Sequence, residues 1–412
     1  MARILESIVE QHAENAAFLW LLRDRAVDAP HYRPHHLARL DQRVEANLDG
    51  LRIAGEAGWR IVMDELARHG EAGELFAAAV LALESGDAAR VDLLVEIAER
   101  TPEVRRGFLS ALGWVRPDLL KPTIRRWLGE QEPFGRYLGV VACSQHRVDP
   151  GAHIVAWLRD PYALLRRRAL RLVGEIGRSD LASTIADTLT TEPDGTCSSW
   201  AAWSLGLLHQ PAVLPLLMVD VENGASTAAG ALEVAVRLGE GNAVRNWIRH
   251  LARDPSTRRP AVEAAGRFGD PAAVPWLISL MLEPAMMRLA GESWSLITGI
   301  DPVEIGATLP AIGEVTVDTL DATEEVAGLD PDDGLPWPDQ QQLQACWEAS
   351  RARFPTGCRL LLGQPVAAAA WDAAWRNGTQ RVRRTAAYEA AMTSPAAVLR
   401  NWRRRGDIRH PA

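Results

Sequence analysis

Apolar side chains recur at helical spacing along most of the chain, and the segment from Asp160 to Pro193 shows the pattern clearly. Its first helical stretch has apolar residues at Leu164, Leu165, Ala169, Leu172, Val173 and Ile176. This spacing predicts a helix with one apolar face. Asp160 and Pro161 are typical of a helix start and Gly177 of a helix end, and the residues that follow predict a second helix.

A small residue recurs near the end of the first helix of each such pair. The positions are Gly113, Cys143, Gly174, Gly206, Val236 and Gly266, at intervals of 30, 31, 32, 30 and 30 residues. A second marker in the second helices keeps the same period. It consists of Trp127, Trp157, Trp247 and Trp276, with Leu189 and Leu217 near the two positions that lack Trp. The chain therefore contains an internal repeat of about 30 residues.

A pair of helices of this length cannot bury its apolar face alone, whereas stacked pairs share one continuous core. The pattern thus predicts an all-α fold, an α-solenoid of HEAT-like two-helix repeats. In that fold the small residues allow close helix approach, and the Trp side chains belong mainly to the core. We predict four segments: an N-terminal helical cap and divergent repeat over 1–70, the repeats over 71–300, an acidic linker over 301–339, and a basic helical segment over 340–412.

The last two segments are defined by charge. Between Arg288 and Arg351 there are thirteen acidic residues and no Lys or Arg, with the Pro and Gly content of an extended tether. The tail from Arg351 carries a net charge of +9, which leaves −17 for the preceding residues of a chain whose total is −8. We expect the tail, with helices near 340–353, 365–376 and 380–392, to dock on the acidic part; an alternative is a basic docking site for an acidic partner. The stretch NWRRRGDIRHPA is expected to fray.

Composition narrows the function classes. A body with a charge of −17 repels phosphate, so we expect no nucleic-acid partner. The four cysteines are far apart, which is typical of a reducing cytosol, and the longest apolar run, Leu75 to Leu83, is too short to cross a membrane. The N-terminal stretch carries acidic residues where a signal peptide needs a basic start, so it predicts an amphipathic helix over Ile4 to Arg23 and a cytoplasmic protein.

Several end segments carry a family resemblance. The stretches HAENAAFLWLLRDRAVDAPHY, LDQRVEANLDGLRIAGEAGW, LPWPD, WEASRARFPTGCRLLLGQP and NGTQRVRRTAAYEAA resemble a proteobacterial family of HEAT-repeat proteins of unknown function. Members of that family often lie near type VI secretion effector loci. The resemblance implies an accessory, adaptor or chaperone role and transfers no catalytic residue.

Motifs for chemistry are weak. His31, His35 and His36 lie in a stretch broken by Pro34 with no acidic or Cys partner at a regular spacing, so we predict no metal site. Lys121 stands outside any phosphate-binding loop, no His is followed directly by Glu as in HEAT-type hydroxylases, and no Gly-Xaa-Ser-Xaa-Gly elbow occurs. We therefore predict no cofactor and no catalytic residues, although sequence alone leaves open a nucleophilic site assembled from distant positions.

The predicted function is a scaffold, adaptor or chaperone that binds a protein on its second helices, with a secreted effector or its loading machinery as the expected partner. Six residues that flank the Trp marker or its equivalent are the candidate contacts: Arg125, Arg126, His153, Asp187, Arg245 and Arg249. Two alternatives remain. One is a HEAT-like lyase-type enzyme acting on a protein client, as in bilin attachment, and the other is an immunity protein that neutralises a toxin. The sequence does not predict the oligomeric state.

Overall fold

The computed structural model describes residues 4–310 and 330–406, and over these residues the chain is all-α, as predicted. Its regular structure there consists of twenty-one α-helices, four short 3₁₀ helices and one two-stranded antiparallel ribbon. No helix in this part of the chain combines the length and the apolar character that a membrane crossing requires.

Two compact units divide the described residues. Unit 1 contains residues 4–28, 32–208 and 396–406, and unit 2 contains residues 29–31, 209–310 and 330–395. The four predicted segments, with boundaries at 70, 300 and 339, divide the chain by pattern and composition and stay a prediction.

Unit 1 is built from twelve α-helices among its described residues. They are α1 Glu6–Ala26, α2 Pro34–Ala54, α3 Glu56–His69, α4 Ala72–Ser85, α5 Ala88–Arg100, α6 Arg105–Trp114, α7 Pro117–Gly129, α8 Pro133–His146, α9 His153–Trp157, α10 Ala163–Glu175, α11 Ala182–Leu189 and α12 Gly195–Leu207, with a 3₁₀ helix at Ser179–Leu181. The first helices α4, α6, α8, α10 and α12 each contact the next one in the series, and α5, α7, α9 and α11 are the second helices between them. The chain ends several helices as the sequence suggests, with Asp87 and Asp194 accepting first-turn backbone N–H groups of α5 and α12.

Unit 2 continues the alternation over its described residues and adds the C-terminal elements. They are α13 Leu214–Glu222, α14 Ala228–Leu238, α15 Gly241–Leu251, α16 Arg258–Phe268, α17 Val274–Leu280, α18 Pro284–Thr298, α19 Gln340–Ser350, α20 Ala368–Asn377 and α21 Gln380–Ala391, with 3₁₀ helices at Pro211–Val213, Pro271–Ala273 and Arg351–Arg353 and the ribbon of β1 Leu360–Leu361 and β2 Gln364–Pro365. The first helices α14, α16 and α18 contact one another in series, and α13, α15 and α17 are the second helices.

The period of about 30 residues is also present in the backbone. Residues with positive φ follow the first helices at Arg147, Gly177, His209, Gly269 and Gly299, at intervals of 30, 32, 60 and 30 residues. A positive φ just after a helix turns the chain sharply and ends the helix. Each of these first helices is therefore terminated by the same local geometry, although two of the five residues are not glycine.

Small residues let the first helices approach closely, as the sequence predicts. A Cβ atom on Gly174 would lie 2.8 Å from the Cα of Ser204 in unit 1, and one on Gly266 would lie 3.0 Å from the Cα of Ser293 in unit 2. Each serine hydroxyl donates to the carbonyl oxygen four residues before the paired glycine, at 2.7 and 3.0 Å. These hydrogen bonds satisfy the buried hydroxyls and link neighbouring first helices.

Three of the four Trp markers are core residues. Trp127, Trp157 and Trp247 are at most 6% exposed, which confirms the interpretation for these positions. Trp276 is only partly buried and lies beside a pocket described below. For that repeat the core position is held by Leu277 instead.

A buried carboxylate joins α8 and α10 in unit 1. The side chain of Glu175 is 1% exposed and lies 2.9 Å from Arg171, 3.3 Å from Arg147 and 3.8 Å from Arg168, and it accepts a hydrogen bond from Ser144. Burial by itself would raise the pKa of Glu175, but the three guanidinium groups lower it to about 2. Because the folded-state pKa lies below the ordinary value, this contribution to stability is present at neutral pH and is lost as the pH falls toward 2.

A comparable network in unit 2 includes the C-terminal segment. Glu233 is fully buried and pairs with Arg237 at 2.8 Å, Arg267 at 3.0 Å and Arg384 at 3.5 Å. Burial raises the pKa of Glu233, and these three cations outweigh that effect and lower it. Arg237 also pairs with Glu389 at 2.8 Å, so α21 is tied to α14 through two of its side chains. This is the docking of the basic tail that the charge balance predicts.

The ribbon adds backbone contacts to the same docking. The N–H of Leu360 donates to the carbonyl of Gly269 at 2.8 Å, and the N–H of Leu362 donates to the carbonyl of Leu296 at 2.7 Å. These acceptors lie at the C-terminal ends of α16 and α18, where helix carbonyls lack intrahelical partners. The C-terminal segment thus completes the hydrogen bonding of the first helices in unit 2.

Residues 396–406 do the same in unit 1, and the expectation of a frayed end is wrong for 401–406. The N–H of Leu399 donates to the carbonyl of Glu175 at 2.9 Å, and the side chain of Asn401 donates to the carbonyl of Gln145 at 2.9 Å. Arg405 pairs with Glu45 at 2.9 Å, and its guanidinium lies over the Trp114 ring. Residues 407–412 lie outside the described part of the chain.

The described ends of the acidic stretch do not form an extended tether. Thr308 forms a β-bridge with Pro338, and Asp332 is 3% exposed and bonded to Arg259 at 2.7 Å. Trp337 lies against the guanidinium of Arg288 at 4.6 Å. Buried ion pairs and cation–π contacts of this kind fix the segment on unit 2. Residues 311–329 of the predicted linker lie outside the described residues.

Candidate functional site

A pocket of about 220 Å³ opens in unit 2 beside helices α15, α16 and α17. We call it the α15 pocket. Ile248, Ala265 and Phe268, each at most 8% exposed, supply apolar surface, and Trp276 lies at its side. Arg245 and Arg249 also line it.

The sequence of α15 explains why both arginines reach the pocket. Val244, Trp247, Ile248 and Leu251 are buried and form one face of the helix. Arg245 and Arg249 are four residues apart, so they lie one turn apart on the same side of α15. The structure thus brings together two of the six candidate contact residues.

The guanidinium of Arg245 is held in place. Its Nε donates to Asp270 at 2.5 Å, and its charge lies 5.7 Å from the centre of the Phe268 ring. Asp270 is 3% exposed, and its other oxygen accepts the N–H of Ala272 at 2.9 Å as the N-cap of the Pro271–Ala273 helix. The charge of Arg245 is therefore balanced within the pocket wall.

Arg249 differs from Arg245. It is exposed, and its guanidinium donates to the amide oxygen of Asn246 at 2.8 Å, with no carboxylate partner in the described part of the chain. His250 and Arg253, which follow it at the end of α15, are also exposed. The rim of the pocket therefore has an excess of positive charge.

The other four candidate residues lie on second helices of unit 1 and do not meet. Arg125 on α7 is exposed, and Arg126 pairs with Asp92 at 2.6 Å. His153 on α9 is exposed and stacks on Trp157, and Asp187 on α11 is exposed. Their selection as partner contacts stays a prediction.

Sequence reasoning missed Phe268, Asp270 and Trp276 as pocket residues. Asp270 and Pro271 gave a helix-start signal, which the structure uses as a cap, but the ion pair with Arg245 has no signature in the sequence. Trp276 was assigned to the core because it keeps the register of the other Trp residues.

The same turn occurs twice in unit 2, sixty residues apart. We call residues 209–216 the Pro211 turn and residues 269–276 the Pro271 turn; their sequences are HQPAVLPL and GDPAAVPW. Ala212 and Ala272 occupy equivalent exposed positions in the two 3₁₀ helices. Val213 is 5% exposed, whereas its equivalent Ala273 is partly exposed and lines the pocket.

The pocket is suited to binding. None of the described residues that line it carries a hydroxyl, thiol or imidazole group, and its carboxylate is paired with Arg245. Elsewhere, burial raises the pKa of the Cys143 thiol to about 11 and that of Cys197 to about 12, which keeps both thiols protonated and weakly nucleophilic at neutral pH. Within the described residues, no group of three or more His, Cys, Asp or Glu side chains is placed to hold a metal ion.

No protein-family model, curated protein or solved structure matches the chain.

Proposed function

We propose that the chain is a cytoplasmic protein-interaction scaffold, an adaptor or chaperone, built as an α-solenoid of HEAT-like repeats. The recurring helix ends, the glycine–serine approaches between first helices and the Trp spacing support this architecture. In such a fold each repeat contributes its second helix to a continuous binding surface.

One observation carries the interaction role. Large apolar side chains are exposed on the second helices at Leu93, Leu119, Val155, Leu216 and Val219, with exposures of 42 to 48%. None of the described large apolar side chains on the first helices from α4 to α18 is exposed to that degree. Apolar residues concentrated on one set of helices favour a protein-binding face.

The resemblance at the chain ends supports a more specific proposal, an accessory role for type VI secretion effectors. The partner is then a secreted effector or its loading machinery. An immunity protein would use the same surface to bind a toxin, and the identity of the partner separates the two roles. The α15 pocket favours binding over lyase chemistry because about 220 Å³ is below the roughly 300–1,000 Å³ of sites for whole small molecules.

The test is affinity purification of the full chain from its native cell after chemical cross-linking. We expect one protein to be recovered in stoichiometric amount, and its recovery to fall at least tenfold with Leu119→Glu combined with Leu216→Glu. Both leucines are exposed, so the fold should tolerate the change.

The control is Ile53→Glu, because Ile53 is 87% exposed but lies on α2, outside the second helices. Recovery of the wild-type chain alone, or equal recovery by the double variant, would contradict the proposal. A mass-spectrometric identification of a toxin, with lethality of the gene deletion only while that toxin is present, would assign the immunity role instead.

A further inference from the structure

The α15 pocket has the size of one large apolar side chain. Its volume of about 220 Å³ exceeds the roughly 150 Å³ of an apolar cavity that binds benzene. Ile248, Ala265 and Phe268 present hydrocarbon to this space. A Leu, Met or Phe side chain can therefore enter it and be removed from water.

Charge complementarity identifies what should stand next to that side chain. Arg245 is balanced by Asp270, but Arg249 has only an amide partner at 2.8 Å. Arg253 and His250 add positive charge at the same end of α15. A carboxylate placed at the rim would pair with Arg249 at no cost to an existing ion pair.

We infer that the α15 pocket binds a protein segment in which a bulky apolar residue is adjacent to an Asp or Glu. The inference rests on the proposed function and names the chemistry of the partner. The apolar side chain fills the space over Phe268 beside Trp276, and the acidic side chain pairs with Arg249. This combination of an apolar anchor and a charged neighbour is common at the centre of protein interfaces.

The experiment uses the full chain and a phage library of random twelve-residue peptides. Peptides that are enriched on the wild-type chain are synthesised with a fluorophore, and their Kd values are measured by fluorescence anisotropy. For each one, further versions replace the apolar anchor by Ala or the acidic residues by Asn and Gln. We expect the enriched peptides to share a large apolar residue within two positions of Asp or Glu, and each replacement to weaken binding at least tenfold.

Two pairs of variants locate the binding. Ala272→Trp adds bulk at the pocket and should weaken binding at least tenfold, whereas Ala212→Trp, at the equivalent exposed position of the Pro211 turn, should leave it unchanged. Arg249→Glu should weaken binding similarly, and Arg125→Glu makes the same charge change on α7 without effect. Circular dichroism and thermal unfolding of each variant confirm that the fold is retained.

The inference is overturned if no peptide is enriched, if the acidic residues can be replaced without loss, or if Ala272→Trp binds as well as Ala212→Trp. Failure of the proposed function has a different result. If the native partner is captured equally by wild type and Ala272→Trp, the scaffold role stands and the pocket inference fails. If wild type captures no partner, the scaffold role itself fails.

Discussion

The Pro211 and Pro271 turns have nearly the same sequence pattern and the same 3₁₀ helix, yet we find the α15 pocket only at the latter among the two. His209, Gln210 and Leu216 stand where the Pro271 turn has Gly269, Asp270 and Trp276. Gly269 admits the backbone of Leu360, Asp270 holds Arg245, and Trp276 stands beside the pocket. The repeat supplies a common backbone, and a few substitutions on it create a binding site.

The strongest way to break the comparison is Gly269→Ala. The added Cβ would lie 2.1 Å from the carbonyl oxygen of Leu360, at a φ of 78° that side chains disfavour. We expect the free energy of unfolding to fall by about 2 to 4 kcal/mol, from backbone strain and overpacking together. Urea denaturation followed by circular dichroism measures the change, and Gly224→Ala, where φ is 61° and nothing lies within 4 Å, isolates the strain.

Asp270→Ala should be the next largest effect. It removes the cap of the 3₁₀ helix and leaves the guanidinium of Arg245 without its carboxylate. We expect a loss of about 2 to 3 kcal/mol. Hydrogen exchange should show faster exchange in α15 and α17, and Asp270→Asn, which keeps a capping oxygen, should lose about half as much; equal losses for both variants would contradict the role of the cap.

Trp276→Ala compares the two turns through binding. Loss of a large side chain at the edge of the α15 pocket should weaken the selected peptides about 30-fold, equivalent to about 2 kcal/mol. Leu216→Ala, at the equivalent position of the Pro211 turn, should leave their Kd within twofold. Anisotropy titration measures both, and a similar loss for the two variants would show that the peptides bind elsewhere.

His209→Gly is the smallest expected effect and makes the Pro211 turn more like its counterpart. His209 has a φ of 60°, which glycine adopts without strain. The gain is partly offset because glycine is more flexible in the unfolded chain, so we expect a stabilisation of about 0.5 to 1 kcal/mol. A thermal midpoint that does not rise would indicate that the histidine side chain compensates for its backbone conformation.

Sequence reasoning worked where one residue type performs one local task. The helix periodicity, the close-packing role of Gly174 and Gly266, and the C-terminal helices were predicted because each depends on nearby residues. Arg245 and Arg249 were chosen from their position beside a buried Trp, and the structure does place both at a pocket.

Sequence reasoning failed where the outcome depends on distant contacts. The stretch from Asn401 looks like a charged chain end, but its residues bond to Gln145 and to side chains of α2 far away in sequence. Trp276 keeps the register of a core residue, and only the packing of Leu277 in its place leaves it at the surface. Neither result follows from spacing along the chain.

The placement of residues 396–406 has a consequence for synthesis on the ribosome. Unit 1 begins with the first helices to be translated, but the strand that bonds to Glu175 and Gln145 is among the last residues made. The carbonyls it covers must stay hydrated, or be shielded by chaperones, until translation is nearly complete. A ribosome stalled at residue 390 should therefore carry a first half whose α8 and α10 remain sensitive to protease, and release of the finished chain should remove that sensitivity.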